Sequence, residues 1–212
     1  VEYLDSQSGP RSKQMLAAEQ IFTTTTGTND CVAVTLAGKP AVVVAGFDNR
    51  VTFANILASK KSYEAGIRSV ADLKGKKLAV TQPQAATWLM AVYISQHFGV
   101  GDDIEILGLG DFTTMMGAVK SGRVDGCMAT FAMIDKARQE DWGFPLFDVT
   151  EAEQWDAVFG GPVPGVSCYV LKKTRDERPE QVAALVQGLV KATDFCKQKS
   201  AEEIADAIHE AY

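Results

Sequence analysis

The groups with chemistry to offer in this chain are hydroxyls, amides and backbone N–H groups. Thr25, Thr26 and Thr28 flank Gly27, which gives three hydroxyls beside an accessible backbone. A second polar stretch, Thr81-Gln-Pro-Gln84, follows an apolar run and precedes a predicted helix that starts near Ala85, with Ala86 and Thr87 in its first turn. The first amides of a helix lack partners inside it and carry partial positive charge, so such a joint suits a small polar ligand or an oxyanion. Ser8-Gly9-Pro10 is turn chemistry, with proline placed to open another helix. Thr130-Phe131 stands at a third strand-to-helix joint. Taken alone, such a joint is more often a plain polar turn.

Catalytic sets are missing from the pattern. The two histidines, His97 and His209, have no neighbouring Ser or Cys arrangement that reads as a nucleophile pair. Cys31, Cys127, Cys168 and Cys196 are too far apart in sequence for a metal-ligand or redox pair, and Cys127 and Cys168 sit in apolar runs as small hydrophobes. Gly108 and Gly110 begin a dinucleotide-type glycine pattern, but Thr113 stands where its third glycine belongs. No Walker motif is present, and no cofactor or metal is expected.

Positioning these groups is the work of an alternating α/β chain. The 212 residues are 46% hydrophobic and 23% charged, which is ordinary for a globular protein, and the net charge of -6 argues against a nucleic-acid partner. No run approaches the roughly 20 apolar residues of a membrane span. Strands are expected at Val1–Leu4, Ile21–Thr24, Ala41–Ala45, Val51–Leu57, Lys77–Val80, Asp103–Leu107, Val124–Ala129, Phe144–Val149 and Val166–Leu171. The Ala41–Ala45 run is apolar throughout, as for a strand covered on both faces. Thr25–Thr28 is expected as a loop, with Asn29 or Asp30 capping the next helix. Helices are expected near Arg11–Gln20, from Ala85 toward Gly99, from Asp111 to Gly122, from Thr130 to Arg138 and from Pro179 to Lys199. Thr150/Glu153 and Ser200/Glu203 have capping-box spacing. Alternation of this kind implies mainly parallel sheets. The halves Val1–Gly38 and Asp103–Arg138 echo each other weakly, as two lobes of related topology do.

Four segments carry a resemblance. Ser69-Val-Ala-Asp-Leu-Lys-Gly-Lys-Lys-Leu-Ala-Val80 resembles the opening of the second lobe in periplasmic solute-binding proteins of ABC importers, in the branch that serves nitrate, taurine and alkanesulfonates, and thiamine-pyrimidine precursors. Ala118-Val-Lys-Ser-Gly-Arg-Val-Asp-Gly126, Ala41-Val-Val-Val-Ala-Gly46 and Ser167-Cys-Tyr-Val-Leu171 look like further segments of that family. The resemblance covers nearly the whole chain. It implies two α/β lobes, residues 1–62 with 168–212 and residues 63–167, joined by crossings near Ser59–Gly66 and Cys168–Lys173. The family's first strand and helix have no counterpart here, and both chain ends look cut.

Carried over residue by residue, the resemblance puts Ser8, Gly9, Thr25, Thr26, Gly27, Thr28, Gln82, Ala85, Ala86, Thr87, Thr130 and Phe131 on a ligand cleft between the lobes. The ligand is expected to be a small polar molecule or oxyanion of sulfonate, nitrate or pyrimidine type. Arg11 is the nearest cation, either pairing with an anion or solvated in its helix's first turn. Phe131 and Trp155 either stack on ligand or belong to the core, and Asp125 fixes the turn into its strand. The implied function is extracytoplasmic solute binding, as a monomer in the periplasm or as an anchored lipoprotein, with ABC importer membrane subunits as partners and no enzymatic step. A ligand-sensing domain of a regulator is the alternative on the same fold. A pyrimidine-synthesis enzyme of related fold is a third reading, weakened because the cysteine-rich motif of those enzymes has no equivalent here.

Overall fold

In the computed structural model, strands and helices alternate along the chain and build two separate sheets. It describes every residue except Val1, Tyr3, Gln7 and Tyr212, and omits the side chains of Glu210 and Ala211. The smaller sheet has the order β1 (Thr24–Gly27), β8 (Val166–Leu171), β2 (Ala41–Gly46). The larger has the order β5 (Glu105–Gly108), β4 (Lys77–Val80), β6 (Gly126–Ala129), β3 (Asn55–Ser59), β7 (Gly143–Phe147). Strand β8 is antiparallel to both neighbours, β4 is parallel to β5 and β6, and β3 is antiparallel to β6 and β7.

The α/β class stands, with more antiparallel pairing than the alternation suggests. Strands linked by a helical crossover, β4 to β5 and β5 to β6, run the same way. Strands β3 and β8 arrive from the other sheet without such a crossover, and each lies antiparallel to its neighbours.

The main core lies on the larger sheet. Leu57, Leu78, Ile94, Met115, Met128, Phe147 and Trp155 are fully buried there, under α4 (Ala86–His97), α5 (Phe112–Lys120), α6 (Phe131–Gln139) and α7 (Ala152–Phe159), while the short helices α3 (Lys60–Glu64) and α8 (Lys172–Glu177) directly follow β3 and β8. Trp155 is thus a core residue, and its indole N–H donates to the Gly161 carbonyl at 2.7 Å. The smaller sheet has a far smaller cluster: Leu16 of α1 (Gly9–Ala17), Cys31 and Val34 of α2 (Thr28–Leu36), and Tyr169 and Leu171 of β8.

Several expectations shift. Glu2 and Leu4 are not in a strand, while Val1 and Tyr3 lie outside the described residues. Strand β1 is the threonine run itself, three residues later than the apolar residues Ile21 and Phe22 suggest. Pairing with β8 decides this, in the register Thr24 to Tyr169 through Gly27 to Val166, and β-branched threonine suits a pleated surface. Helix α2 therefore begins at Thr28, with Asn29 and Asp30 inside its first turn instead of capping it. Strand β2 is not covered on both faces: it is an edge strand, and Val43 is 44% exposed. Thr150 is not the cap of α7, because its amide and hydroxyl both go to the Asp148 carboxylate. The Ser200/Glu203 box is formed as spaced.

The chain passes between sheets earlier than residues 59–66 and returns earlier than residues 168–173. Strand β3 already belongs to the larger sheet, α7 packs on the core of that sheet, and β8 lies wholly in the smaller, so the passages are residues 47–54 and 160–165. These passages are bonded to one another. The Asp48 carboxylate accepts the amides of Gly165 at 2.7 Å and Val166 at 3.0 Å, and the Val163 amide donates to the Asn49 carbonyl at 2.8 Å. Gly165 has no room for a side chain, since a Cβ there falls 2.7 Å from Val51 Cα.

Candidate functional site

The N-termini of α2 and α4 come from different sheets and meet. A Cβ on Gly27, the N-cap of α2, falls 2.7 Å from Cβ of Ala86, the first residue of α4. Neither helix has a side-chain cap: Gly27 has no side chain, and Ala85, the N-cap of α4, cannot supply one. Helix α1 also starts without a side-chain cap bond from Ser8. By contrast, α5 is capped by Asp111 and α6 by Thr130. The Thr28 amide at the start of α2 donates to the Gly165 carbonyl at 2.9 Å; the next first-turn amides of α2 and those of α4 carry partial positive charge close to this contact.

A cleft of about 2120 Å³ opens from this point. It is larger than the roughly 300–1,000 Å³ of a small-molecule site. Its course explains the excess. Every residue from Gln20 to Gly27 lines it, although side chains of a strand alternate between faces. A cavity that touches consecutive strand residues runs along the strand's open edge, and β1 is an edge strand paired only with β8. The part beside the contact of Gly27 with Ala86 has walls from both sheets. The rest follows β1 toward Leu185 and Leu189 of α9 (Pro179–Gln198).

Of the residues proposed from sequence, Ser8, Gly9, Thr25, Thr26, Gly27, Gln82, Ala85, Ala86 and Thr87 line this cleft, and Arg11 does too. Thr28, Thr130 and Phe131 are not among its lining residues. The Thr130 hydroxyl is turned to the Met133 amide as a cap, and Phe131 is 38% exposed. The hydroxyls are less free than their types suggest. Thr26 Oγ1 lies 2.9 Å from the Tyr169 hydroxyl. Thr87 is buried, and its Oγ1 accepts the Thr81 amide at 3.1 Å and lies 2.7 Å from Thr81 Oγ1. Thr87 therefore closes the loop ahead of α4 and leaves the helix amides, not its own hydroxyl, for a ligand. That loop holds Gln84 at a φ of 63°, an uncommon left-handed conformation for a residue other than glycine.

Asp30 is the buried charge of the site, 1% exposed, with Lys13 Nζ 3.4 Å away. Gly9 packs on it so closely that a Cβ there falls 2.5 Å from Asp30 Oδ2. Burial raises the Asp30 carboxyl above the usual aspartate range, while the Lys13 charge and a Thr26 hydrogen bond act the other way. Burial likewise pushes the Cys31 and Cys127 thiols up, so neither is a ready thiolate nucleophile. Among the described residues no cluster of His, Cys, Asp and Glu is arranged to hold a metal ion, and no helix is long and apolar enough to cross a membrane. Asp125 serves the fold: its carboxylate accepts the Lys77 amide at 2.9 Å and the Ser62 hydroxyl at 3.1 Å.

Sequence reasoning missed Gly110, Asp111, Phe112 and Thr113, which line the cleft at the start of α5. A signal existed. Parallel neighbours end at the same edge of a sheet, so the loop after β5 belongs beside the loop after β4. Phe53 and the α9 residues Gln181, Ala184, Leu185, Gly188 and Leu189 were also missed, because only the tertiary fold brings them to the cleft.

Two α/β sheets, two bonded passages and a cleft at converging helix N-termini make a two-lobed fold of the kind seen in periplasmic binding proteins. The chain belongs to the NMT1/THI5-like family, whose model matches residues 1–203. No curated protein matches it in a sequence search. Among solved structures it is similar to a protein from Bordetella bronchiseptica RB50, with TM-score 0.81, 22% identity, and coverage of 95% of this chain and 63% of that one. It is also similar to the alkanesulfonate-binding protein SsuA from Xanthomonas axonopodis pv. citri bound to MOPS, with TM-score 0.69, 20% identity, and coverage of 92% and 62%. The periplasmic nitrate-binding protein NrtA from Synechocystis PCC 6803 matches with TM-score 0.73, 15% identity, and coverage of 92% and 53%. The chain thus spans under two thirds of the length of these proteins.

Proposed function

We propose that this chain is the ligand-holding part of an extracytoplasmic solute-binding protein, which captures a small polar molecule and delivers it to the membrane subunits of an ABC importer. The observation that carries the reading is the meeting of α2 and α4, two uncapped helix N-termini from different sheets, at Gly27 and Ala86. A ligand seated beside that contact bonds both lobes at once and draws them together about the passages at residues 47–54 and 160–165. Ser8, Thr25 and Gln82 add hydrogen-bonding groups from the walls. Family membership, and the sulfonate- and nitrate-binding proteins among the structural neighbours, support solute capture.

The test is a thermal-shift panel on the full-length protein with sulfonates, nitrate, bicarbonate, pyrimidines and aromatic acids. A bound solute raises the melting temperature by mass action, by an amount that grows with its concentration. The bound compound is then recovered unchanged. A panel without any shift, or recovery of a chemically altered compound, counts against solute capture.

A further inference from the structure

We propose that Asp30 is a proton-operated clamp between α1 and α2: when its carboxylate takes up a proton, the first turn of α1 seats more firmly on α2, and the cleft wall which that turn forms is held more tightly. Ser8, Gly9, Pro10 and Arg11 line the cleft, and α1 opens without a side-chain cap bond from Ser8. Leu16 holds the later half of α1 in the small core with Cys31, Val34 and Tyr169. The first turn stands on Asp30. A Cβ on Gly9 falls 2.5 Å from Asp30 Oδ2, and Lys13, one turn on, brings its Nζ to 3.4 Å from Oδ1.

Asp30 is buried and poorly served as an anion. Lys13 stands at 3.4 Å and the side-chain amide of Asn29 at 3.5 Å, whereas charge-assisted bonds run at about 2.7–2.9 Å. The Thr26 hydroxyl, 2.9 Å from that of Tyr169, adds one more bond. A buried carboxylate with distant partners favours its neutral form, which keeps its acceptor oxygens and gains a donor. Burial accordingly raises the Asp30 carboxyl above the usual aspartate range. The charge acting against protonation is that of Lys13 from α1. Tyr169 from β8 and Cys31 from α2 are the other titratable groups at this place, and burial raises both, so both stay neutral through the same range.

The sign of the effect follows. When the first turn of α1 lifts, Asp30 meets water and its carboxyl returns toward the ordinary aspartate value. The seated turn therefore binds a proton more readily than the lifted turn. Seating gains as pH falls from neutral; the gain is complete near the ordinary value of about 3.9 and is lost above the raised one.

Hydrogen exchange on the full-length protein without solute tests this, so its outcome is separate from that of the solute panel. The Ser12 amide, bonded to the Ser8 carbonyl at 3.0 Å, reports on the first turn of α1. The Leu89 amide, bonded to the Ala85 carbonyl at 3.0 Å, is the control, because the first turn of α4 holds no acid. After correction for the intrinsic pH dependence of exchange, Ser12 is expected to be at least about threefold better protected at about pH 5 than at about pH 7.5, with Leu89 unchanged. Asp30→Asn keeps the shape of the neutral acid and is expected to show the acid-level protection at both pH values. Lys13→Met removes the opposing charge and is expected to move the midpoint of the change to higher pH. NMR titration of the Asp30 carboxyl carbon in the wild type gives that midpoint directly, whether or not either variant folds. Ser12 protection that is equal at both pH values overturns the proposal, as does a pH response that survives in Asp30→Asn or a midpoint that Lys13→Met leaves in place. So does a change at Leu89 that matches the one at Ser12, or an Asp30 carboxyl that titrates at or below about 3.9.

Discussion

Gly27→Ala tests the convergence of the two helix ends most directly. The Gly27 backbone, at φ -55° and ψ 134°, is open to alanine, so the substitution carries no dihedral penalty. Its new methyl lands 2.7 Å from Ala86 Cβ across the cleft and also crowds Asn29 Oδ1. The Asn29 side chain can rotate, but Ala86 is fixed at the start of α4. Carbon atoms rest at about 3.5–4.0 Å, so the two lobes are pushed apart by about 1 Å at this point. Overpacking of this size costs about 1–3 kcal/mol. If the lobes part to relieve it, the cost falls on the arrangement that holds ligand, and affinity drops about 5- to 150-fold. The fold itself keeps its melting temperature within about 2 °C, because neither core is touched. Calorimetry with the solute found in the panel, beside thermal denaturation, separates the two quantities. Ala86→Gly in the same chain removes the opposing methyl and should restore binding, with a coupling of about 1 kcal/mol or more. The reasoning is refuted if Gly27→Ala binds as wild type, or if its loss is not rescued by Ala86→Gly. A fall of about 5 °C or more in the single variant would place Gly27 in rigid packing instead of at a moving contact.

Two further outcomes follow from the bonds around the cleft. Thr87→Ala leaves the Thr81 amide without its partner and should lower stability by about 1–2 kcal/mol, or about 2–8 °C in a chain this long, while Thr87→Ser stays near wild type; calorimetric melting measures both. Asp48→Ala releases the amides of Gly165 and Val166 and should cost about 2 kcal/mol, whereas Asp48→Asn keeps an acceptor and costs less; equal losses in the two variants would show that the carboxylate's charge, not its hydrogen bonds, ties the passages together.

The interest of the site lies in how little of it is side chain. The α4 end offers backbone amides, and the threonines that look like ligands are turned inward, Thr87 to Thr81 and Thr26 to Tyr169. Asp30, Asp111 and the rings of Phe22, Phe53 and Phe112 stand among the lining residues around those amides.

Local pattern was enough for the elements of the larger sheet. Lys77–Val80 is a strand at the residues the sequence marks, and α5 starts at the cap Asp111 supplies, because apolar period, glycine stops and cap chemistry act within a few residues. The joint at Thr81–Thr87 was legible for the same reason. What the sequence could not decide was pairing. Thr25–Gly27 reads as a polar loop and becomes strand only because β8, some 140 residues later, supplies its partners at Cys168 through Val166. The passage at residues 47–54 was displaced in the sequence reading because Asn55–Ser59 is a strand in either sheet by pattern, and β6 and β7 determine which. The contact of Gly27 with Ala86 and the acidic lining of the cleft are likewise invisible along the chain. They join residues from separate elements, and only the packing of the two lobes brings those elements together.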